Sequence, residues 1–162
     1  MAKNKEEKTN VMRTLEQKKI AYTAKTYPHG EGDTIDGVSV ARAVGLETEM
    51  VFKTLVCKGA SGGYYVFDIP VAENLDLKKA ARAVGEKSVA MLPQKELLPL
   101  TGYVHGGCSP LGMKRLFTTT VDETAALYDR IYFSGGRIGC QIETSLDSLK
   151  AAIPVKEADI TA

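Results

Sequence analysis

The chain predicts a mixed-sheet α+β domain, on three grounds. Apolar residues recur at helical spacing in some segments and alternate in others, with no regular strand-helix-strand period. Glycine-rich connections let neighbouring strands pair as hairpins. No linker is long enough to mark a second domain, so residues 1–162 are expected to form one domain, with residues 1–9 disordered.

Thr9 or Asn10 is placed to cap a first helix in which Val11, Met12 and Leu15 share a face, ending near Ile20 with Lys18 and Lys19 where the helix dipole favours cations. Residues 21–27 then read as a strand and residues 28–33 as a loop. Ser39 is expected to cap a short helix, Val40 to Val44, closed by Gly45. Met50 to Cys57 and Tyr64 to Val71 read as two strands joined through Gly59-Ala60-Ser61-Gly62-Gly63. Asp76 is expected to cap a helix from Leu77 to Val84, ended by Gly85.

Further on, Ser88 to Leu92 reads as a strand and Pro93 opens a helix through Leu98, since proline suits a first helical turn. Phe117 to Val121, Ile131 to Phe133 and Arg137 to Glu143 are expected as strands. A helix at Glu123 to Tyr128 and a last one capped by Ser145 complete the order. The pentapeptide Ala-Arg-Ala-Val-Gly occurs twice, at 41–45 and 81–85. Duplication would explain it, and so would two amphipathic helices that each stop at a glycine.

Composition excludes several classes. With 162 residues, 44% hydrophobic, the chain has enough material for a core, and a domain of this size buries roughly 68–70% of its unfolded surface without metal or disulfide. No window approaches the roughly 20 apolar residues of a membrane helix, and the polar start carries no signal-peptide core, so a cytoplasmic protein is expected. Cys57, Cys108 and Cys140 are odd in number and lack C-x-x-C spacing, which implies neither a disulfide framework nor a zinc site. The net charge of +1 excludes an extensive basic coat.

Chemistry points first to Lys53. On its strand Met50, Phe52, Thr54 and Val56 alternate with Val51, Lys53, Leu55 and Cys57, so apolar neighbours flank the ammonium whichever face is inward. Either the stem packs and the head reaches solvent, or the amine meets an anionic or carbonyl group in a pocket. Next is Gly106-Gly107-Cys108-Ser109-Pro110, where adjacent glycines let peptide N–H groups turn toward a developing oxyanion, or serve a tight turn only. Ser134-Gly135-Gly136-Arg137-Ile138-Gly139 fits neither a dinucleotide fingerprint nor a P-loop. Cys108, three residues after His105, is a candidate thiolate nucleophile.

Four blocks carry a resemblance. Val51-Phe52-Lys53-Thr54-Leu55, Leu75-Asp76-Leu77-Lys78-Lys79, Thr101-Gly102-Tyr103-Val104 with Gly106 to Lys114, and Tyr132-Phe133-Ser134-Gly135-Gly136 together resemble the YbaK/EbsC family of Cys-tRNA(Pro) deacylases, relatives of the prolyl-tRNA synthetase editing domain. The resemblance extends in order from about residue 10 to the end. It implies a strongly curved, barrel-like mixed sheet flanked by helices, and hydrolysis, in trans to the synthetase, of cysteine wrongly esterified to tRNA(Pro), without cofactor or metal.

The family's essential lysine maps onto Lys53 and its G-x-x-x-P loop onto Gly106 to Pro110, with Gly106 grouped beside Lys53 as catalytic. Tyr27 and His29 map to the pocket mouth, and Thr54, Gly107, Cys108, Ser109, Pro110, Ser134, Gly135 and Gly136 to substrate binding. Gln141 stands where some members carry an aspartate. The tRNA(Pro) acceptor end and prolyl-tRNA synthetase are the implied partners, with Lys78, Lys79, Arg82, Lys114, Arg115 and Arg137 as a local basic rim. Alternatives of other classes are a cysteine-nucleophile hydrolase using Cys108 and a non-catalytic anion-binding or regulatory module.

Overall fold

Helix starts follow the side chains that can cap them. In the computed structural model, which describes residues 8–27, 37–43 and 45–162, the Thr9 hydroxyl accepts the Met12 N–H to open α1 (Asn10–Gln17), and Lys8 forms an exposed ion pair with Glu16. Asp76 accepts the N–H groups of Lys78 and Lys79 at the start of α3 (Leu77–Val84), and Ser145 accepts that of Ser148 at α5 (Leu146–Ala152). The second helix, α2 (Gly37–Ala43), begins before Ser39, so Ser39 is interior and not a cap. In α4 (Gln94–Thr101), Pro93 is the N-cap and the helix runs past Pro99 to Thr101, whose hydroxyl bonds back to Leu97 O. The predicted helix near Glu123 is a short 3-10 turn, Glu123–Leu127, capped by Asp122.

The repeated pentapeptide has a local cause. Gly45 and Gly85 take φ of +74° and +76°, and the two segments stop their helices with matching bonds, Leu46 N–H to Ala41 O and Glu86 N–H to Ala81 O. Only glycine adopts this left-handed turn cheaply, so like endings select like sequences.

Among the described residues, eight strands form two sheets. β1 (Thr23–Thr26), β7 (Cys140–Thr144) and β6 (Ile131–Ser134) make an antiparallel sheet in the order β1-β7-β6. β4 (Val89–Met91), β2 (Phe52–Gly59), β3 (Tyr64–Pro70), β5 (Thr118–Asp122) and β8 (Lys156–Ala158) make a mixed sheet in the order β4-β2-β3-β5-β8, with β5 parallel to both neighbours. The hairpin β2–β3 forms as its glycine connection predicts. β8 is too short and polar to be read from sequence.

The mixed α+β class is as expected; among the described strands the sheet is split in two and the two sheets do not close, so the barrel-like form is not confirmed. They meet at one parallel bridge, Val51 to Tyr132, because the same edge of β2 is taken by β4 only at its far end, Cys57 to Gly59. This leaves a seam between β2 and β6. The main core lies on one side of both sheets and joins Val11 and Leu15 of α1 to Phe52, Val66, Phe133, Ile142 and Leu149. Smaller clusters cover the opposite side, one around Phe67, Ile69, Ala80 and Ala81 under α3, another around Ala41, Val51, Val71 and Tyr132 beside α2. Each fully buried Phe67 or Ile69 side chain contributes roughly 1.5–3 kcal/mol.

Candidate active site

Strand register builds a row of side chains across the seam. Gln141 lies opposite Lys25 on β1 and opposite Ser134 on β6, so the three share a face. Tyr27, two residues beyond Lys25, continues that face. Its backbone N–H bonds Gly139 O at 3.0 Å, and its buried phenol sits against the Gln141 amide and the Gly139 N–H. Burial is the largest influence on this hydroxyl and raises its pKa, and those two donors oppose the rise.

On the far side of the seam stand Val51 and, two residues on, Lys53, while Ser134 is two residues beyond the bridged Tyr132. Period-two alternation therefore brings Lys53 and Ser134 to the same face and the same end of the seam. Lys53 is half-buried and lies opposite Ile69 on β3. The row Tyr27, Gln141, Ser134, Lys53 thus runs from one sheet to the other.

Thr54 points the other way. It lies opposite Asp68, on the main-core face, and donates its hydroxyl to Asp68 Oδ1. Asp68 is buried, its Oδ2 has no partner among the described residues, and burial pushes its pKa up to about 7 against a smaller lowering by Thr54. The thiol of Cys108 is close enough to feel that carboxylate. Burial first, and Asp68 second, push it up to about 12. Asp68 was missed from sequence, although one carboxylate inside Val66-Phe67-Asp68-Ile69 is an available signal.

The two glycine loops lie against each other. A Cβ at Gly107 would stand 3.0 Å from Arg137 Cα and 3.2 Å from Ile138 N, so any side chain here would force that backbone to give by a few tenths of an ångström. Their N–H groups divide into committed and available. Gly107 bonds Val104 O at 2.9 Å, Gly135 bonds Cys140 O at 2.9 Å and Gly136 bonds Ser134 Oγ at 3.1 Å. Among the described residues, the amides of Gly106 and Cys108 have no protein acceptor, and Gly106 is exposed. In this loop the Gly107 N–H is therefore committed within the protein, while those of Gly106 and Cys108 are not.

The structure therefore groups Lys53, Ser134, Tyr27 and Gln141 on one face with the glycine-loop junction at its end. It sets Thr54 and the Cys108 thiol on the core face. Ser109 and Pro110 are buried, the Ser109 hydroxyl receiving Leu111 N–H, so these two hold the loop's shape. His29 lies outside the described residues. Among the described residues no group of three or more His, Cys, Asp or Glu is placed to hold a metal ion, and no helix is long and apolar enough to cross a membrane.

Residues 29–152 match the model of the aminoacyl-tRNA editing domain family. The chain is 43% identical, over 99% of its length and 98% of the relative's, to a protein of Enterococcus faecalis assigned as the Cys-tRNA(Pro)/Cys-tRNA(Cys) deacylase EbsC. Among solved structures it resembles one assigned as a trans-editing enzyme for prolyl tRNA synthetase, at 27% identity and TM-score 0.83, covering 94% of this chain and 95% of that one. The hypothetical protein APE2540 shares the fold at TM-score 0.85 and 23% identity, over 94% and 99% of the two chains.

Proposed function

The chain belongs to the aminoacyl-tRNA editing domain family, and from that premise we propose that residues 1–162 act as one deacylase domain that hydrolyses the aminoacyl ester of mischarged Cys-tRNA(Pro) in trans. The observation that carries this reading is the row Tyr27, Gln141, Ser134 and Lys53 crossing the seam, closed at one end by the glycine loops. Lys53 holds the terminal ribose or phosphate by charge and polarises the ester. Gly106 N–H and Cys108 N–H receive the negative charge that builds on the carbonyl oxygen. Tyr27 and Ser134 shape the acyl end.

The Cys108 thiol is unsuited to attack, since a thiol held up to about 12 and facing the core supplies almost no thiolate near neutral pH. Substrate cysteine carries its own nucleophile. Its sulfur attacks the ester carbonyl, the ester C–O bond breaks, the ribose hydroxyl leaves with the thiol's proton, and water opens the resulting thiolactone to free cysteine. Intramolecular attack of this kind reaches effective molarities of roughly 10⁵–10⁸ M in well-oriented cases, so folding the side chain back substitutes for a protein nucleophile.

Selectivity for tRNA(Pro) is supplied in part by prolyl-tRNA synthetase, in the cytoplasm where charged tRNA is used. Purified protein assayed on Cys-, Ala- and Pro-charged tRNA(Pro), with and without the synthetase, tests the reading. Release of cysteine above alanine and proline is expected. Binding without release of any of the three amino acids would favour the non-catalytic anion-binding module.

A further inference from the structure

A buried carboxyl that the mechanism leaves unused stands behind the site. Asp68 lies opposite Thr54 in the β2–β3 register and accepts its hydroxyl, and Thr54 is the residue next to Lys53. Cys108 is the first residue of the glycine loop with a side chain in the main core, in the cluster that holds Phe52 and Val66, and its thiol feels the Asp68 charge. Asp68 is thus bonded to the strand that carries Lys53 and adjoins the loop that carries the Gly106 and Cys108 amides. Its Oδ2 is buried with no partner among the described residues. On its other side β5 sets Val121 against it. Burial and the Thr54 hydroxyl account for its titration, with no cation or second carboxylate acting on it.

A neutral carboxyl stays in that apolar setting, whereas a carboxylate with an empty oxygen draws in water or pushes its surroundings apart. How each neighbour is held decides what yields. β2 and β3 are locked in register over seven residue pairs. In the loop, Gly106 is exposed, and the amides of Gly106 and Cys108 have no protein acceptor among the described residues, so the loop is the part that gives. We propose that Asp68 is a positioning residue for the deacylase site: while neutral it keeps the glycine loop seated against the strand of Lys53, and its ionisation unseats the loop. The inference rests on the deacylase reading above and adds to it a proton-controlled support that touches neither substrate nor reacting atoms. Because this carboxyl titrates at about 7, the support is present below that pH and is lost as pH rises through it.

The test compares wild type with Asp68→Asn in two arms, at a temperature where circular dichroism shows both folded. In the first, kcat/KM on Cys-tRNA(Pro) is followed from pH 5.5 to 8.5, and the ionisations of Lys53, the substrate thiol and the tRNA are shared and cancel in the ratio. Asparagine is neutral at every pH and still accepts the Thr54 hydroxyl. The variant should stay within about three-fold of wild type below pH 6 and exceed it about ten-fold at pH 8.5, where only about 3% of the wild-type carboxyl is neutral. The second arm, amide hydrogen exchange of residues 103–112 corrected for base catalysis, needs no substrate. Among amides that exchange by local opening, loop protection in wild type should fall about ten-fold from pH 6 to 8, and in the variant it should stay level. Parallel pH profiles would overturn the proposal, as would loop protection that does not change with pH, changes equally in both proteins, or falls by the same factor throughout the chain. Wild-type protein that releases no cysteine at any pH, yet loosens the loop through Asp68, would sink the deacylase reading and leave the support standing.

Discussion

Replacing Asp68 with Asn should convert a pH-dependent stability into a flat one. The folded carboxyl titrates at about 7 against an ordinary 3.8, chiefly because it is wholly buried, so the native state binds its proton more tightly than the unfolded chain. The sign follows from linkage. Stability is full below the unfolded pKa and is lost as pH rises through about 7, where the native protein must ionise a carboxylate whose Oδ2 has no partner among the described residues.

The whole shift, about three units at 1.36 kcal/mol each, is on the order of 4 kcal/mol, and about two of those units lie above pH 5. Asparagine keeps an acceptor for the Thr54 hydroxyl and never ionises. In urea unfolding at pH 5 and pH 8, the variant should therefore gain on the wild type by about 3 kcal/mol between the two conditions. Acids such as Asp76 and Glu86, whose folded values are lowered, act in the opposite direction and cancel in the difference. Parallel stabilities at both pH values, or a variant that loses ground at pH 8, would refute the assignment of a neutral buried acid.

Three further outcomes follow from the same geometry. Lys53→Ala is expected to lower Cys-tRNA(Pro) deacylation by at least 100-fold with a circular dichroism melt close to wild type, and near-normal turnover would remove the lysine from the mechanism. Cys108→Ala should keep its activity, since the thiol faces the buried carboxylate and does not supply thiolate; loss of turnover with an intact fold would revive the cysteine-hydrolase alternative. Gly107→Ala should cost about 1–3 kcal/mol in chemical denaturation, because its Cβ would press on Arg137 and Ile138 backbone and not on a side chain that can swing away, whereas an unchanged midpoint would show that the loops part easily.

How far the site was legible depends on the range of the interaction that fixes each part. The caps Thr9, Asp76 and Ser145 were readable because donor and acceptor lie within three residues of each other. The Ala-Arg-Ala-Val-Gly repeat was readable for the same reason, as a helix end. Ser39 was misread because nothing in its neighbourhood says that α2 starts at Gly37, and β8 was missed because Lys156-Glu157-Ala158 becomes a strand only by pairing with β5. The family resemblance maps Lys53 and Thr54 to one site. Alternation sends them to opposite faces, and the register with β3 sets Thr54 on Asp68.

Sequence alone determined the mixed α+β class, the order of nearly all elements and the glycine turns, since these depend on capping groups, alternation and permitted φ within a few residues. The tertiary structure decided that, among the described residues, two sheets meet at a single bridge and that Lys53 and Ser134 share its open end. Those outcomes hang on pairings between segments up to a hundred residues apart, and a strand's own residues fix which of its side chains alternate but not which neighbour each face will meet.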